Sequence, residues 1–146
     1  MPWRRAIAVW LVLISAEIIH GIVRSILLTP RVGDTRARQI GVFTGSLVNL
    51  GITHVLIQWI GARTTRALVG IGVVWVVLTV VFEVTFGRLV MRSSWERLRS
   101  DYDLAHGGLL PFGLVALAGS PLAAVRLRRL DRIPRSASAR RMATAA

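Results

Sequence analysis

Apolar residues in this chain gather in four long runs, over residues 6–28, 40–60, 67–89 and 109–125. A helix needs about 20 consecutive apolar residues, within a range of about 17–25, to cross the hydrocarbon layer of a bilayer. All four runs reach that length, the last at the short end. Stretches such as residues 73–82 (VVWVVLTVVF) lack the alternation of a transmembrane strand. A bilayer offers no water to free backbone groups, so the runs predict helices. The expected fold is all-α: a polytopic membrane protein with four transmembrane helices in one unit over residues 1–132.

Local signals set the expected boundaries. Thr29-Pro30 is expected to close the first helix, because proline cannot continue it and restrains the residue before it. Asp34 is the expected N-cap of the second helix. The connection after Ile60 is short and predicts antiparallel neighbours for helices two and three. Ser93 with Glu96 three residues on reads as a capping box. Trp95, Leu98 and Tyr102 then recur at helical spacing, predicting a short interfacial helix over residues 94–104 that ends at Gly107-Gly108. Pro111 is expected to start the last span and Pro121 to kink it. Residues 133–146, rich in Arg, Ser and Ala, predict a disordered basic tail. The first run is longer than a signal-peptide core and is expected to stay as a membrane helix.

Polar positions inside the runs carry most of the information about chemistry. Glu17 and Glu83 lie within the first and third runs, where an ionisable group is costly and needs a partner or a purpose. Glu17, His20 and Arg24 share one helical face, and Arg88 follows Glu83 near the end of the third run. The expected centre of the protein is therefore a buried polar cluster of Glu17, His20, Arg24, Glu83 and Arg88. The charged connections carry Asp34, Arg36, Arg38, Glu96, Asp101 and Asp103, which are expected to cap it. Gly41, Gly45 and Asn49 form a small-residue stripe at steps of four, the pattern that lets membrane helices approach closely. Shifting the sequence by 66 superposes Glu17 on Glu83, Gly21 on Gly87 and Gly41 on Gly107. That pattern raises the expectation of two related helical hairpins, whose halves would be related by an axis along the membrane normal.

Composition adds orientation. The net charge is +12, and every one of the 19 basic residues is arginine. With four spans threaded, the arginines near the termini and the second connection fall on one side. Those of the first and third connections fall on the other, diluted by acids. By the positive-inside rule both termini are cytoplasmic, in a bacterial inner membrane. Trp3 and Trp59 on one boundary, and Trp95 and Tyr102 on the other, read as aromatic belts. The tail arginines suit anionic lipid headgroups. Arginines spread around membrane helices do not form a nucleic-acid patch.

Several chemistries have no support. Without cysteine there are no disulfides, thiolate metal sites or cysteine nucleophiles. Glu17-x-x-His20 matches half of a di-metal carboxylate motif, but Phe86 stands where Glu83 would need its histidine, so no metal or cofactor is expected. There is no phosphate loop and no hydrolase or zinc-protease signature, and an enzyme is the weakest reading. The segments Ala16-Glu17-Ile18-Ile19-His20-Gly21, Arg31-Val32-Gly33-Asp34 with Ala37-Arg38-Gln39-Ile40-Gly41, and Trp95-Glu96 with Asp101-Tyr102-Asp103-Leu104 and Gly107-Gly108 resemble a group of small uncharacterised bacterial four-span membrane proteins. The resemblance covers most of the chain and implies the fold but no activity. The leading expectation is a non-catalytic membrane component or subunit, in a homo-oligomer or larger complex, held together by the acid-base cluster. The alternative is a small transporter or proton-coupled permease in which Glu17 and Glu83 titrate.

Overall fold

The computed structural model describes residues 2–62 and 64–131; the tail expected at 133–146 lies outside them. Every regular element among the described residues is helical. Helix α1 (Pro2–Val23) passes through a π-helical turn (Arg24–Leu28) into a short α2 (Thr29–Val32). Then follow α3 (Asp34–Ile60), α4 (Thr65–Leu89), α5 (Trp95–Tyr102), a 3-10 turn (Leu104–His106) and α6 (Leu110–Asp131). Four helical stretches, Trp3–Val32, Asp34–Ile60, Thr65–Leu89 and Leu110–Arg129, are long and apolar enough to cross a membrane. The protein has the all-α, multi-pass fold that its hydrophobic pattern predicts.

The first helix does not close at Thr29-Pro30. The π turn lengthens the hydrogen-bond loop, with the Thr29 amide donating to the Arg24 carbonyl five residues back. Pro30 thereby falls in the first turn of α2, where a missing N–H costs nothing. Gly33 is the actual break, at φ 82°, ψ 161°. Asp34 is accordingly the first residue of α3 and not its N-cap, which is Gly33. The Asp34 carboxylate makes no cap bond and turns to arginines instead. The cap of α5 is Ser94, not Ser93: its side chain accepts from the Arg97 amide, so no reciprocal bond from Glu96 completes a box. The last span is also longer than the expected 109–125, running to Asp131.

In the bundle, α6 packs closely against both α3 and α4, α1 packs on α3, and α1 meets α4 only lightly. The apolar core lies towards the end that carries the N-terminus and the α3–α4 turn, called the terminal end below. It is built on Val9, Ile57, Ile60, Ile71 and Trp75. There the Trp75 indole donates to the Ala6 carbonyl (2.9 Å) and the Trp10 indole to Thr79 Oγ1 (3.0 Å), tying α1 to α4. The backbones of α4 and α6 approach closely, and a Cβ on Gly72 would run into the Ala118 carbonyl. Pro121, inside α6, deprives the Leu117 carbonyl of its usual donor. The Ser120 hydroxyl takes that place at 2.8 Å, and the fully buried Thr53 hydroxyl donates in turn to Ser120 at 3.4 Å. A proline is tolerated inside a membrane helix when a neighbouring hydroxyl satisfies the carbonyl it releases.

Candidate functional site

Towards the opposite end, which carries Gly33 and α5, the helices part around a cavity of about 760 Å³. All four long helices and α5 line it. Its volume lies within the roughly 300–1,000 Å³ typical of small-molecule sites. Both intramembrane glutamates face it, Glu17 from α1 and Glu83 from α4.

The Glu17 side is furnished with polar partners. Gly45 of α3 makes room for the carboxylate, since a Cβ there would meet Glu17 Oε1 at 2.9 Å. Gly41 does the same for Arg24, whose Cδ would meet a Cβ at 2.7 Å. The glycine stripe thus seats polar side chains of α1 and of the π turn that follows it, and does not serve backbone-to-backbone packing there. Asn49 and Arg24 are electrostatic neighbours of Glu17, and His20 Nδ1 lies 3.5 Å from Glu17 Oε2.

The His20 ring bridges Glu17 and α3. Its Nε2 is 2.8 Å from Thr44 Oγ1, which also lies 3.0 Å from the Ile40 carbonyl and 3.3 Å from that of Gly41. Which ring nitrogen carries the proton depends on the tautomer, and with Nδ1 turned to Glu17 the pair offers a place where a proton can be shared.

Glu83 is furnished differently. Its electrostatic neighbours are Asp101, Glu17 and the Tyr102 hydroxyl, and no histidine or arginine forms an ion pair with it among the described residues. Oε2 of Glu83, like Oε1 of Glu17, is a buried oxygen with no hydrogen-bond partner among the described residues. Arg88 does not join the cluster. Its guanidinium donates to the Ser93 carbonyl (2.7 Å) and lies over the Trp95 ring, 4.7 Å from its centroid. Arg88 follows Glu83 by about 1.4 turns of helix, which places it off the Glu83 face near the helix end.

Helix α5 covers the cavity. Leu98 packs on Gly87 of α4, and Tyr102 reaches beside Glu83, near enough to interact but outside good hydrogen-bond geometry. Two ion pairs hold it to α3, Arg38 with Asp101 and Arg97 with Asp34 (3.1 Å), and an Arg38–Asp34 pair within α3 (3.4 Å) links them. Gln39 adds a bond to the Gly107 carbonyl at 3.2 Å. Of the acids and bases expected to cap the cluster, Asp34, Arg38 and Asp101 are in this network. Arg36 and Glu96 are exposed and have no part in it. Asp103 caps its own turn and pairs with His106 (2.6 Å), a bond that holds its carboxyl below the ordinary value. Tyr102 and Asn49 belong to the site although their spacing marked them only for helix faces, and Arg97 and Thr44 belong to it although nothing in the sequence singled them out for it. A signal for Tyr102 did exist, in that its face of α5 also carries Leu98.

Tyr102 is the single tyrosine and reports on the site. Burial, then the charges of Glu83 and Asp101, push its phenol from 10.0 up to about 12. A phenol whose folded value is raised favours the folded state below pH 10 and loses that contribution as the pH rises through about 12. The tyrosinate absorbance of the native protein is expected to appear near 12, and Glu83→Gln is expected to lower that midpoint. An unchanged midpoint in the variant would mean that Tyr102 does not sense Glu83.

No three histidine or acidic side chains come together as a metal-binding group among the described residues. Comparison with protein families, curated proteins and solved structures finds no match for this chain.

Proposed function

We propose that this protein binds a small solute in the cavity between α1, α3, α4 and α6 and moves it in exchange for protons, with Glu17 and Glu83 as the groups that take up and release charge. One observation carries the reading. Two acids on different helices open onto one cavity, each with a buried oxygen that no group among the described residues satisfies. A buried acceptor without a partner is costly, and intramembrane acids that face a cavity typically mark ion or substrate paths. The Glu17–His20 pair supplies a position for the exchanged proton. The arginines Arg4, Arg5, Arg66, Arg126, Arg128 and Arg129 at the terminal end set the orientation, with both termini in the cytoplasm of a bacterium and the cavity in the outer half of the inner membrane. A unit of four helices gives a narrow path, so the working form is a dimer or larger.

The second reading, a structural subunit with the cluster as internal glue, draws on the Glu17 side alone, where Gly45, His20 and Asn49 enclose the carboxylate. Proteoliposomes with an entrapped pH dye separate the two. With benzyltrimethylammonium, neopentylbenzene or benzylsulfonate supplied in turn as the exchanging solute, an imposed pH gradient is expected to relax faster with the parent protein than in empty vesicles, and the E17Q/E83Q double variant is expected to lose that increment while remaining folded. No increment in the parent protein would leave the glue reading standing.

A further inference from the structure

We infer that the solute is an organic cation with an apolar body, and that it reaches Glu83 sideways from the bilayer between α1 and α4. This rests on the solute-binding reading above and specifies the ligand and its route.

The charge follows from how the wall's own charges are used. Arg38 and Arg97 are held by Asp101 and Asp34. Arg24 and His20 lie on the Glu17 side, across Gly41 and against Thr44. What faces Glu83 from α5 and α1 is acidic or neutral: Asp101, Tyr102 and Glu17. A cation placed there meets two carboxylates and displaces no existing ion pair of Glu83, whereas an anion meets repulsion. The body of the ligand follows from the rest of the lining. Phe82 and Phe86, one residue before and three residues after Glu83, stack at 5.3 Å between centroids and both line the cavity. Aromatic rings beside a carboxylate suit an ammonium with hydrocarbon substituents.

The route follows from where α1 and α4 are joined. Trp10–Thr79 and Trp75–Ala6 fasten them at the terminal half. Past Thr79 no hydrogen bond or ion pair joins the two helices among the described residues, and from there on both line the cavity. The other approach, from the α5 end, is covered by α5 and its ion pairs. Gly108 abuts the backbone of Ser100 and Asp101 there, too closely for a Cβ.

The test uses the full chain in lipid nanodiscs and three probes of nearly one shape: benzyltrimethylammonium, neutral neopentylbenzene and anionic benzylsulfonate. Equilibrium dialysis is expected to show saturable binding of the ammonium alone, weakened about tenfold or more by Glu83→Gln and kept within a few fold by Glu83→Asp. Gly21 lines the cavity and has open space where its Cβ would stand. Gly21→Phe is therefore expected to fold normally and to abolish binding by filling the cavity, which keeps the test decisive should Glu83→Gln fail to fold. Preferential binding of the neutral or anionic probe, blocked by Gly21→Phe, would overturn the cation assignment and leave the solute site intact. Absence of binding by all three, with no pH relaxation in proteoliposomes, would overturn both readings. Ammonium binding undiminished in Gly21→Phe would overturn the assignment to this cavity.

Discussion

Glu83→Gln is expected to leave the thermal midpoint of the purified protein unchanged or higher, while removing its proton-driven flux. What surrounds the carboxylate decides this. When a member of a buried ion pair is removed, the partner is left as an uncompensated charge, at a cost of about 3–5 kcal/mol. Glu83 has no such partner among the described residues. Its neighbours are the acids Asp101 and Glu17 and a phenol. A neutral amide of the same shape therefore relieves repulsion and orphans nothing. Glu17→Gln is expected to behave differently, because Glu17 is enclosed by His20, Arg24 and Asn49. Its loss is expected to cost about 1–3 kcal/mol, the penalty of groups left without their charged partner. Thermal melts of the two single variants, side by side in one detergent, check the asymmetry. A large destabilisation by Glu83→Gln, comparable to that by Glu17→Gln, would mean that Glu83 serves the fold and would count against its role in transport.

Gly72→Ala is expected to be the most destabilising single-methyl change in the bundle. The added Cβ would enter the Ala118 carbonyl on α6. The obstacle is backbone and cannot rotate aside, so α4 and α6 must separate and the packing around Trp75 and Leu117 must loosen with them. A penalty of about 3 kcal/mol, at the upper end for overpacking, is expected. Gly119→Ala is the control. That glycine has nothing within 4 Å of its Cβ position, so the change is expected to stay within about 1 kcal/mol of the parent, in the direction of helix propensity. Thermal melts of both variants provide the check, and equal effects at Gly72 and Gly119 would refute the close α4–α6 crossing.

Some of this was legible along the chain and some was not, and the division is physical. Membrane helices announce themselves through one-dimensional composition, so four spans follow from the apolar runs. Their ends are less visible, because an end depends on where backbone hydrogen bonds go. Pro30 looked like a stop, yet the π turn before it shifts the ladder so that its missing N–H is harmless, and Gly33 ends the helix instead. Pro121 was legible as a break in the hydrogen-bond ladder, but not that the Ser120 hydroxyl, itself bonded by Thr53 of α3, would supply the bond that it removes.

The glycine stripe of α3 teaches the same lesson. Spacing by four marked Gly41 and Gly45 as small positions on one face, but not what occupies the space. Close backbone approach was the expectation, and the side chains of Arg24 and Glu17 are what fill it. The close backbone approach lies instead at Gly72, which no stripe singled out.

By itself, then, the sequence determined that this is a four-span helical membrane protein with acids at Glu17 and Glu83 that must be accounted for, because burial of a charge in a bilayer is costly whatever the fold. Which groups answer those charges was decided only in three dimensions. Arg88 turns outward to Trp95, Arg38 and Arg97 are drawn to Asp34 and Asp101, and Glu83 is left facing acids across a cavity. Partner choice depends on distance between helices far apart in sequence, and hydropathy carries no record of that distance.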